Sequence, residues 1–220
     1  MALALFDLDN TLLAGDSDYL WGVFLAEQGL VDKEFYEKEN QRFYDEYKAG
    51  DLDIMEYLTF SLKPLADHPL EVLLPLREKF MRDVIQPLMS PASFELIKKH
   101  KQQNDTLLVI TATNRFVTAP IVEAFGIPNL LATEPEKNAD GYTGAVAGTP
   151  CFQDGKVIRL KAWMKENQCN LKGSWFYSDS HNDLPLLNIA DKPVAVDADD
   201  KLLAHAQQHA WPIISLRDQH

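Results

Sequence analysis

Two aspartates one residue apart, Asp7 and Asp9, close a short apolar run near the amino terminus and are followed by Asn10 and Thr11. Where a strand gives way to a loop, such a pair can serve one crevice in two roles, one carboxylate as nucleophile and the other as proton donor and acceptor. A solvated acidic turn or a helix N-cap is the other reading of the same residues. Thr111-Ala112-Thr113 ends the run TLLVIT at the mouth of a helix. There a hydroxyl and free main-chain N–H groups either hold a phosphate or cap the helix. Lys156 opens a further helix, where an ammonium is unfavourable against the helix dipole. It reads as a surface lysine or as a cation that neutralises both a nucleophilic carboxylate and an incoming phosphate. Ser178-Asp179-Ser180-His181-Asn182-Asp183 follows the run SWFYS. Asp179 and Asp183 are either helix-capping acids or partners of Asp7 and Asp9 in one crevice. Each close carboxylate pair repels by roughly 1 kcal/mol in water and about 4 kcal/mol at an effective dielectric of about 20, so four together require a cation. Hard oxygen ligands without a histidine or cysteine set favour Mg²⁺. His181 stands alone and reads as a bystander.

Such residues need a scaffold that gathers distant parts of the chain. Residues 2–6 form a short apolar run ending in acids, the pattern of a buried parallel strand whose carboxyl end delivers polar groups to a crevice. Runs at 106–111, 130–133, 174–178 and 193–196 repeat it and alternate with helical stretches. The alternation predicts an α/β fold, a Rossmann-like parallel sheet with crossover helices. Ser90-Pro91 sets an N-cap and a first-turn proline for a helix over 91–103, and Gly126 closes one over 116–125. Between about 14 and 87 the texture changes to long amphipathic segments with almost no β-branched run. This predicts an all-helical insertion with helices over 17–29, 32–49, 51–63 and 68–83, punctuated by Gly50-Asp51 and Asp67-His68-Pro69. The expected division is a catalytic core of residues 1–13 plus 88–220 and a helical cap of residues 14–87. A cap inserted directly behind the first strand lies over the sheet's carboxyl edge, where a lid belongs. Glycine punctuation between 134 and 156 predicts a β-hairpin excursion leading into the helix of Lys156.

With 220 residues, 46% hydrophobic and 25% charged, the chain falls outside disordered and fibrous classes and suits one large domain or a domain carrying an insertion. A formal charge of −12 repels phosphate backbones and anionic membrane surfaces. The expected partner is thus a small molecule rather than nucleic acid or membrane, and an anionic one must be captured by local cations or a bound metal. Cys151 and Cys169 are too far apart for a CxxC unit and too few for a disulfide framework. The apolar start lacks a basic leader and no run approaches membrane length, so the expected location is the cytoplasm. The sequence carries no signature of oligomeric state.

The order Asp-x-Asp-x-Thr, Thr, Lys, Asp-x-x-x-Asp, with a helical insertion after the first motif, resembles the haloacid dehalogenase (HAD) superfamily of phosphohydrolases over nearly the whole chain. It is closest to the phosphoserine-phosphatase-like branch, whose cap is a helical bundle inserted just behind the first strand. The resemblance implies a Mg²⁺-dependent phosphomonoesterase that works through an aspartyl-phosphate. It implies that Asp7 attacks phosphorus, that Asp9 protonates the leaving alcohol and then activates water, and that Thr111 and Lys156 bind the transferring phosphoryl group. It implies Mg²⁺ held by the Asp7 carboxylate, the Asp9 main-chain carbonyl and Asp179, with Asp183 organising the metal's waters. Asp9 sets the class, because dehalogenase relatives lack this acid.

Two departures bear on substrate. Thr111-Ala112-Thr113 stands where phosphoserine phosphatases have Ser-Gly-Gly, and Ser178 to Asp183 stands for their Gly-Asp-Gly-x-Asn-Asp. The branch's acid nine residues beyond the nucleophile, which faces a substrate amine, is matched by Asp16, with Asp18 close behind. Both also read as caps of the helix over 17–29. For the branch's carboxylate-binding cap arginine, the early cap offers only Arg42. An acidic entrance with no better carboxylate receptor suits an amino-alcohol phosphate. DLDNTLLAGDSDYLWG and VITATNRFVTAPI further resemble a branch that includes histidinol-phosphate phosphatases. The expected substrate-facing set is therefore Asp16, Asp18, Arg42, Ala112 and Thr113, with histidinol phosphate as first substrate and phosphoserine or another small phosphomonoester as the alternative. A receiver-like or non-turnover phosphate-binding protein shares the acidic metal pocket but needs neither Asp9 nor a long helical lid.

Overall fold

Short aliphatic runs form strands here because both faces of each are covered, as parallel sheets require. The computed structural model describes residues 2–217, and at its centre six parallel strands make one sheet. They are β1 (Leu3–Phe6), β2 (Thr106–Asn114), β3 (Asn129–Thr133), β6 (Trp175–Ser178), β7 (Lys192–Val196) and β8 (Ile213–Ile214), in the order β3-β2-β1-β6-β7-β8. A separate antiparallel hairpin is formed by β4 (Pro135–Lys137) and β5 (Tyr142–Val146). The chain winds outward from β1 to β3 on one side and from β6 to β8 on the other. The order thus reverses at β1 and β6, where an open α/β sheet leaves a crevice beyond its strand ends.

Both faces are packed. On one, Phe6, Val109, Tyr177 and Val194 meet Ile97 of α5 (Pro91–Gln102) and Ile121 of α6 (Arg115–Ala124). On the other, Leu5, Ile110 and Phe176 meet Leu160 of α7 (Asp154–Glu166), Leu187 of α8 (Leu184–Leu187) and Leu202 of α9 (Asp200–Gln208). The buried His100 ring is satisfied at both nitrogens, by Asp105 at 2.8 Å and the Tyr177 hydroxyl at 2.9 Å, which ties α5 to β6.

Between β1 and β2 lie α1 (Ser17–Glu27), α2 (Lys33–Ala49), α3 (Ile54–Asp67) and α4 (Leu70–Phe80). Asp16, Asp32 and Asp53 cap the first three by accepting main-chain N–H bonds, and Gly50 ends α2 in the left-handed region. The chain leaves the sheet and returns to it side by side. Leu13 bridges Met89, and the Ala14 N–H donates to the Leu88 carbonyl at 2.9 Å. The hairpin packs against α3.

Several boundaries correct the sequence reading. The helix expected from 51 starts at Ile54, because Asp53 rather than Asp51 accepts the Met55 and Glu56 N–H groups, and it runs on to Asp67. β2 extends to Asn114, so Thr111, Ala112 and Thr113 occupy the strand's end rather than a helix mouth, and Asn114 caps α6. α7 begins at Asp154, two residues before Lys156. The expectation stopped at Val196, whereas α9 and β8 complete that edge of the sheet.

Candidate active site

Asp7 is the first residue beyond β1, and its N–H still donates to the Tyr177 carbonyl at 2.9 Å, so the strand ladder holds it up to its α-carbon. The chain then turns through residues 8–12, closed by the Leu13 N–H on the Leu8 carbonyl at 2.9 Å, with Asn10 left-handed at φ 55°. Asparagine tolerates that conformation better than bulkier residues do. The turn aims two carboxylates into separate environments. Asp7 meets the buried Lys156 ammonium at 2.7 Å, and Lys156 also reaches Asp183 at 2.7 Å. Ser178 donates to Asp183 at 2.7 Å. Through these partners Asp183 fixes the lysine. Asp9 instead accepts from the Ser17 N–H at 2.7 Å and the Thr113 hydroxyl at 2.8 Å, with the Thr111 hydroxyl at 3.4 Å.

Asp179, just beyond β6, is joined to the first motif by Thr11. The Thr11 hydroxyl donates to Asp179 at 2.9 Å, accepts from the Asp179 N–H at 3.0 Å and lies 3.4 Å from Asp7. Thr11 had no assigned task in the sequence, although its place in Asp-x-Asp-x-Thr was visible. The turn is also gripped from the far end of the chain, where Arg217 donates to the main-chain carbonyls of Asn10 and Thr11.

Burial dominates the electrostatics. It pushes the Asp7 carboxyl up to about 7, with Asp183 adding repulsion and Lys156 opposing it. Asp9 is raised to about 6 by burial and by Asp16, against the stabilising bonds from Ser17 and Thr113. Asp179 is raised by burial and by Asp7. Burial works against the Lys156 charge as well, yet Asp183 and Asp7 hold its pKa above the ordinary lysine range. One ammonium, paired with Asp7 and Asp183, thus serves a site that also holds Asp9 and Asp179, and acidic groups are in excess. Among the described residues no three His, Cys, Asp or Glu side chains form a metal-ligating cluster. The hard oxygens of Asp7 and Asp179, spanned by one threonine hydroxyl, nevertheless fit a divalent cation that would relieve their repulsion.

Above these groups the helices close a pocket with a cavity of about 70 Å³, lined by Asp7, Asp9, Thr111, Ala112, Thr113, Lys156 and Asp183 on the sheet side. Its helical side carries Asp16, Asp18 and five aromatic rings, and a sixth, Phe152, comes from the loop before α7. Asp16 is the N-cap of α1, one oxygen accepting from the Asp18 and Tyr19 N–H groups at 3.0 Å. Asp18 is 8% exposed and pushed up to about 8 by burial and by Asp16. Arg42, expected to face substrate, is corrected. It is held by Glu39 at 2.9 Å and by Glu46 and Glu56 at 2.8 Å, and it does not line the pocket. Three carboxylates on α2 and α3 outcompete any inward contact. Sequence reasoning also missed the rings, because Tyr19, Phe43, Tyr44, Tyr47, Tyr57 and Phe152 converge from four separate segments.

Comparison with known proteins agrees with this arrangement. Residues 4–188 match the haloacid dehalogenase-like hydrolase family. A histidinol-phosphatase of Neisseria meningitidis serogroup C is 42% identical over 219 residues, covering 98% of this chain and 99% of that protein. A crystal structure from Bordetella pertussis Tohama I, of a protein with unknown function, has a TM-score of 0.93 at 41% identity over 98% of this chain and 99% of that one. The fold is shared with a phosphoserine phosphatase carrying an analogue of its phospho-aspartyl intermediate, at a TM-score of 0.71 and 20% identity, over 99% of this chain and 94% of that one. No helix among the described residues is long and apolar enough to cross a membrane.

Proposed function

The chain belongs to the haloacid dehalogenase-like hydrolase family and is a phosphatase, and from that premise we propose that it hydrolyses a small amino-alcohol phosphate, first of all histidinol phosphate, through a phosphorylated aspartate. An Asp7 oxygen attacks phosphorus and the ester P–O bond breaks, while Asp9 gives its proton to the leaving alcohol. Water then attacks the same phosphorus, Asp9 takes one of its protons, and the Asp7 carboxylate is released. Lys156, 2.7 Å from Asp7, opposes the negative charge gathering there. The Thr111 hydroxyl binds a phosphoryl oxygen, with Ala112 and Thr113 beside it on the substrate side. Mg²⁺ would be held by the Asp7 and Asp179 carboxylates with the Asp9 main-chain carbonyl, and supplies positive charge to the phosphoryl group when bound. In this reading residues 14–87 act as a cap over a core of 1–13 and 88–220. The adjacent crossing at Leu13 and Met89 supports that division. Two free thiols suit a reducing cytoplasm, where we place the protein.

One observation carries the substrate class. Asp16 and Asp18 line the same pocket as Asp7 and Asp9, while Lys156 is the one cation among the lining residues. An amine finds two acids there, and a substrate carboxylate, such as that of phosphoserine, finds no arginine. The test is kcat/KM with Mg²⁺ for histidinol phosphate, phosphoserine and a sugar phosphate, expected to fall in that order. Removing divalent cations with EDTA should abolish turnover, and Mg²⁺ should restore it. A preference for phosphoserine or sugar phosphates overturns the substrate reading, and full turnover after exhaustive chelation overturns the metal.

A further inference from the structure

The pocket's two helical acids occupy different neighbourhoods. Asp16 sits on the phosphate side, close enough to the first motif to repel both Asp9 and Asp7. Asp18 lies deeper among the helices. Its carboxyl shares the pocket wall with Tyr57 and lies 3.5 Å from the Asn114 amide nitrogen, and among the described residues it makes no ion pair. A buried carboxyl without a positive partner is unfavourable unless something else supplies one. The pocket it lines is walled by rings. Tyr57 of α3 meets Phe43 of α2 edge-on, with centroids 5.2 Å apart and planes at 69°. Tyr19 of α1 meets Tyr44 of α2 at 5.5 Å and 50°. All four rings line the pocket. A buried carboxyl framed by aromatic faces is the chemistry that receives a flat basic heterocycle, which takes up the acid's proton and is then held by hydrogen bond at its edge and by cation–π attraction over its face.

We propose that Asp18 and Tyr57, in a pocket walled by Phe43, Tyr44 and Tyr19, form a receptor for a planar nitrogen heterocycle on the leaving group, beside Asp16, which the substrate reading already sets against the amine. This deepens, and rests on, the reading of the substrate as an amino-alcohol phosphate. In an ester whose amine sits on the carbon next to the ester CH₂ and whose imidazole is one CH₂ further on, the groups come in the order the pocket offers: phosphate at Asp7, amine at Asp16, ring at Asp18. The division of labour separates a ring-bearing substrate from one that keeps only phosphate and amine.

The experiment compares kcat/KM for histidinol phosphate and phosphoethanolamine in the wild type and in Asp18→Asn, Tyr57→Phe and Asp16→Asn. The wild type should prefer histidinol phosphate. Asp18→Asn should lower the ratio of the two values by roughly ten- to a hundredfold, as expected for a buried charge-assisted contact. Tyr57→Phe, which keeps the ring and the packing, should lower it by a smaller factor in the same direction. Asp16→Asn should lower both values together and keep their ratio. A ratio unchanged in both Asp18→Asn and Tyr57→Phe overturns the receptor, as does a wild type that uses the two esters equally. Failure of both amine esters alongside turnover of sugar phosphates removes the underlying substrate reading instead, and the receptor with it.

Discussion

The two aspartates of the first motif differ by what holds them, since Asp7 is bound to an ammonium whereas Asp9 is oriented by a main-chain N–H and a hydroxyl. Asp7→Asn should therefore reduce turnover to background while substrate still binds. Asp9→Asn should keep a nucleophile and lose proton transfer, a loss of about 10²–10⁴-fold in kcat. Acid-quenched wild-type protein should carry phosphate on Asp7, read by mass spectrometry of its peptide, and near-normal turnover by Asp7→Asn would sink covalent catalysis at this residue. A second prediction concerns Asp18, whose carboxyl is pushed up to about 8. The folded protein keeps a proton that the unfolded chain has released, so Asp18 lowers stability progressively as pH rises from about 4 to about 8. Asp18→Asn should remove that burden. Its Tm should exceed the wild type's at pH 8, by a free energy on the order of a few kcal/mol, and approach it near pH 4. An Asn variant equally destabilised at both pH values would contradict the assigned shift.

At the scale of elements, α2 walls the pocket and is tied to the core. Its last-turn carbonyls are captured by the core, Tyr47 by the Asn182 side-chain amide at 3.2 Å and Ala49 by the Lys201 ammonium at 2.6 Å. Unpaired carbonyls and the negative end of the helix dipole make this terminus a natural docking point for a cation. Gly50 completes the fit, because a Cβ there would stand 2.9 Å from the His181 Nε2 and its φ is 88°. The cavity beneath is about 70 Å³, below the roughly 300–1,000 Å³ of small-molecule sites, and α2 supplies one of its walls. A partly exposed contact of this kind contributes about 1 kcal/mol or less. Lys201→Ala should thus speed amide hydrogen exchange over residues 47–52 and change kcat by only a few fold. Unaltered exchange in that segment would mean that the contact does not hold the helix down.

Across the whole molecule, the two ends of the described chain meet at the site. Arg217, just beyond β8, donates to the carbonyls of Asn10 and Thr11 and lies 3.8 Å from Asp197. It steadies the turn in which Thr11 joins Asp7 to Asp179. Arg217→Ala should lower kcat by roughly tenfold with little change in KM, since loss of geometry acts mainly on the transition state. Arg217→Lys should recover part of it, and a loss in Tm that accounted for the whole drop would refute a positioning role. None of this was legible in the sequence, where the last strand expected within the 88–220 core ends at Val196. What the sequence determined by itself was everything set by local pattern. The buried apolar runs ending in Asp7, Thr111 and Asp179 specify parallel strands with polar ends, and amphipathic spacing from 14 to 87 specifies helices rather than strands. Tertiary structure decided the rest. Lys156 reaches Asp7 across 149 positions, Thr113 orients Asp9, Arg42 turns away to three glutamates, and rings from separate helices share the pocket of Asp18. Short-range spacing dictates which side of an element faces inward. Which side chains meet there depends on strand register, helix crossing and rotamer, and these are settled only when all the elements pack together.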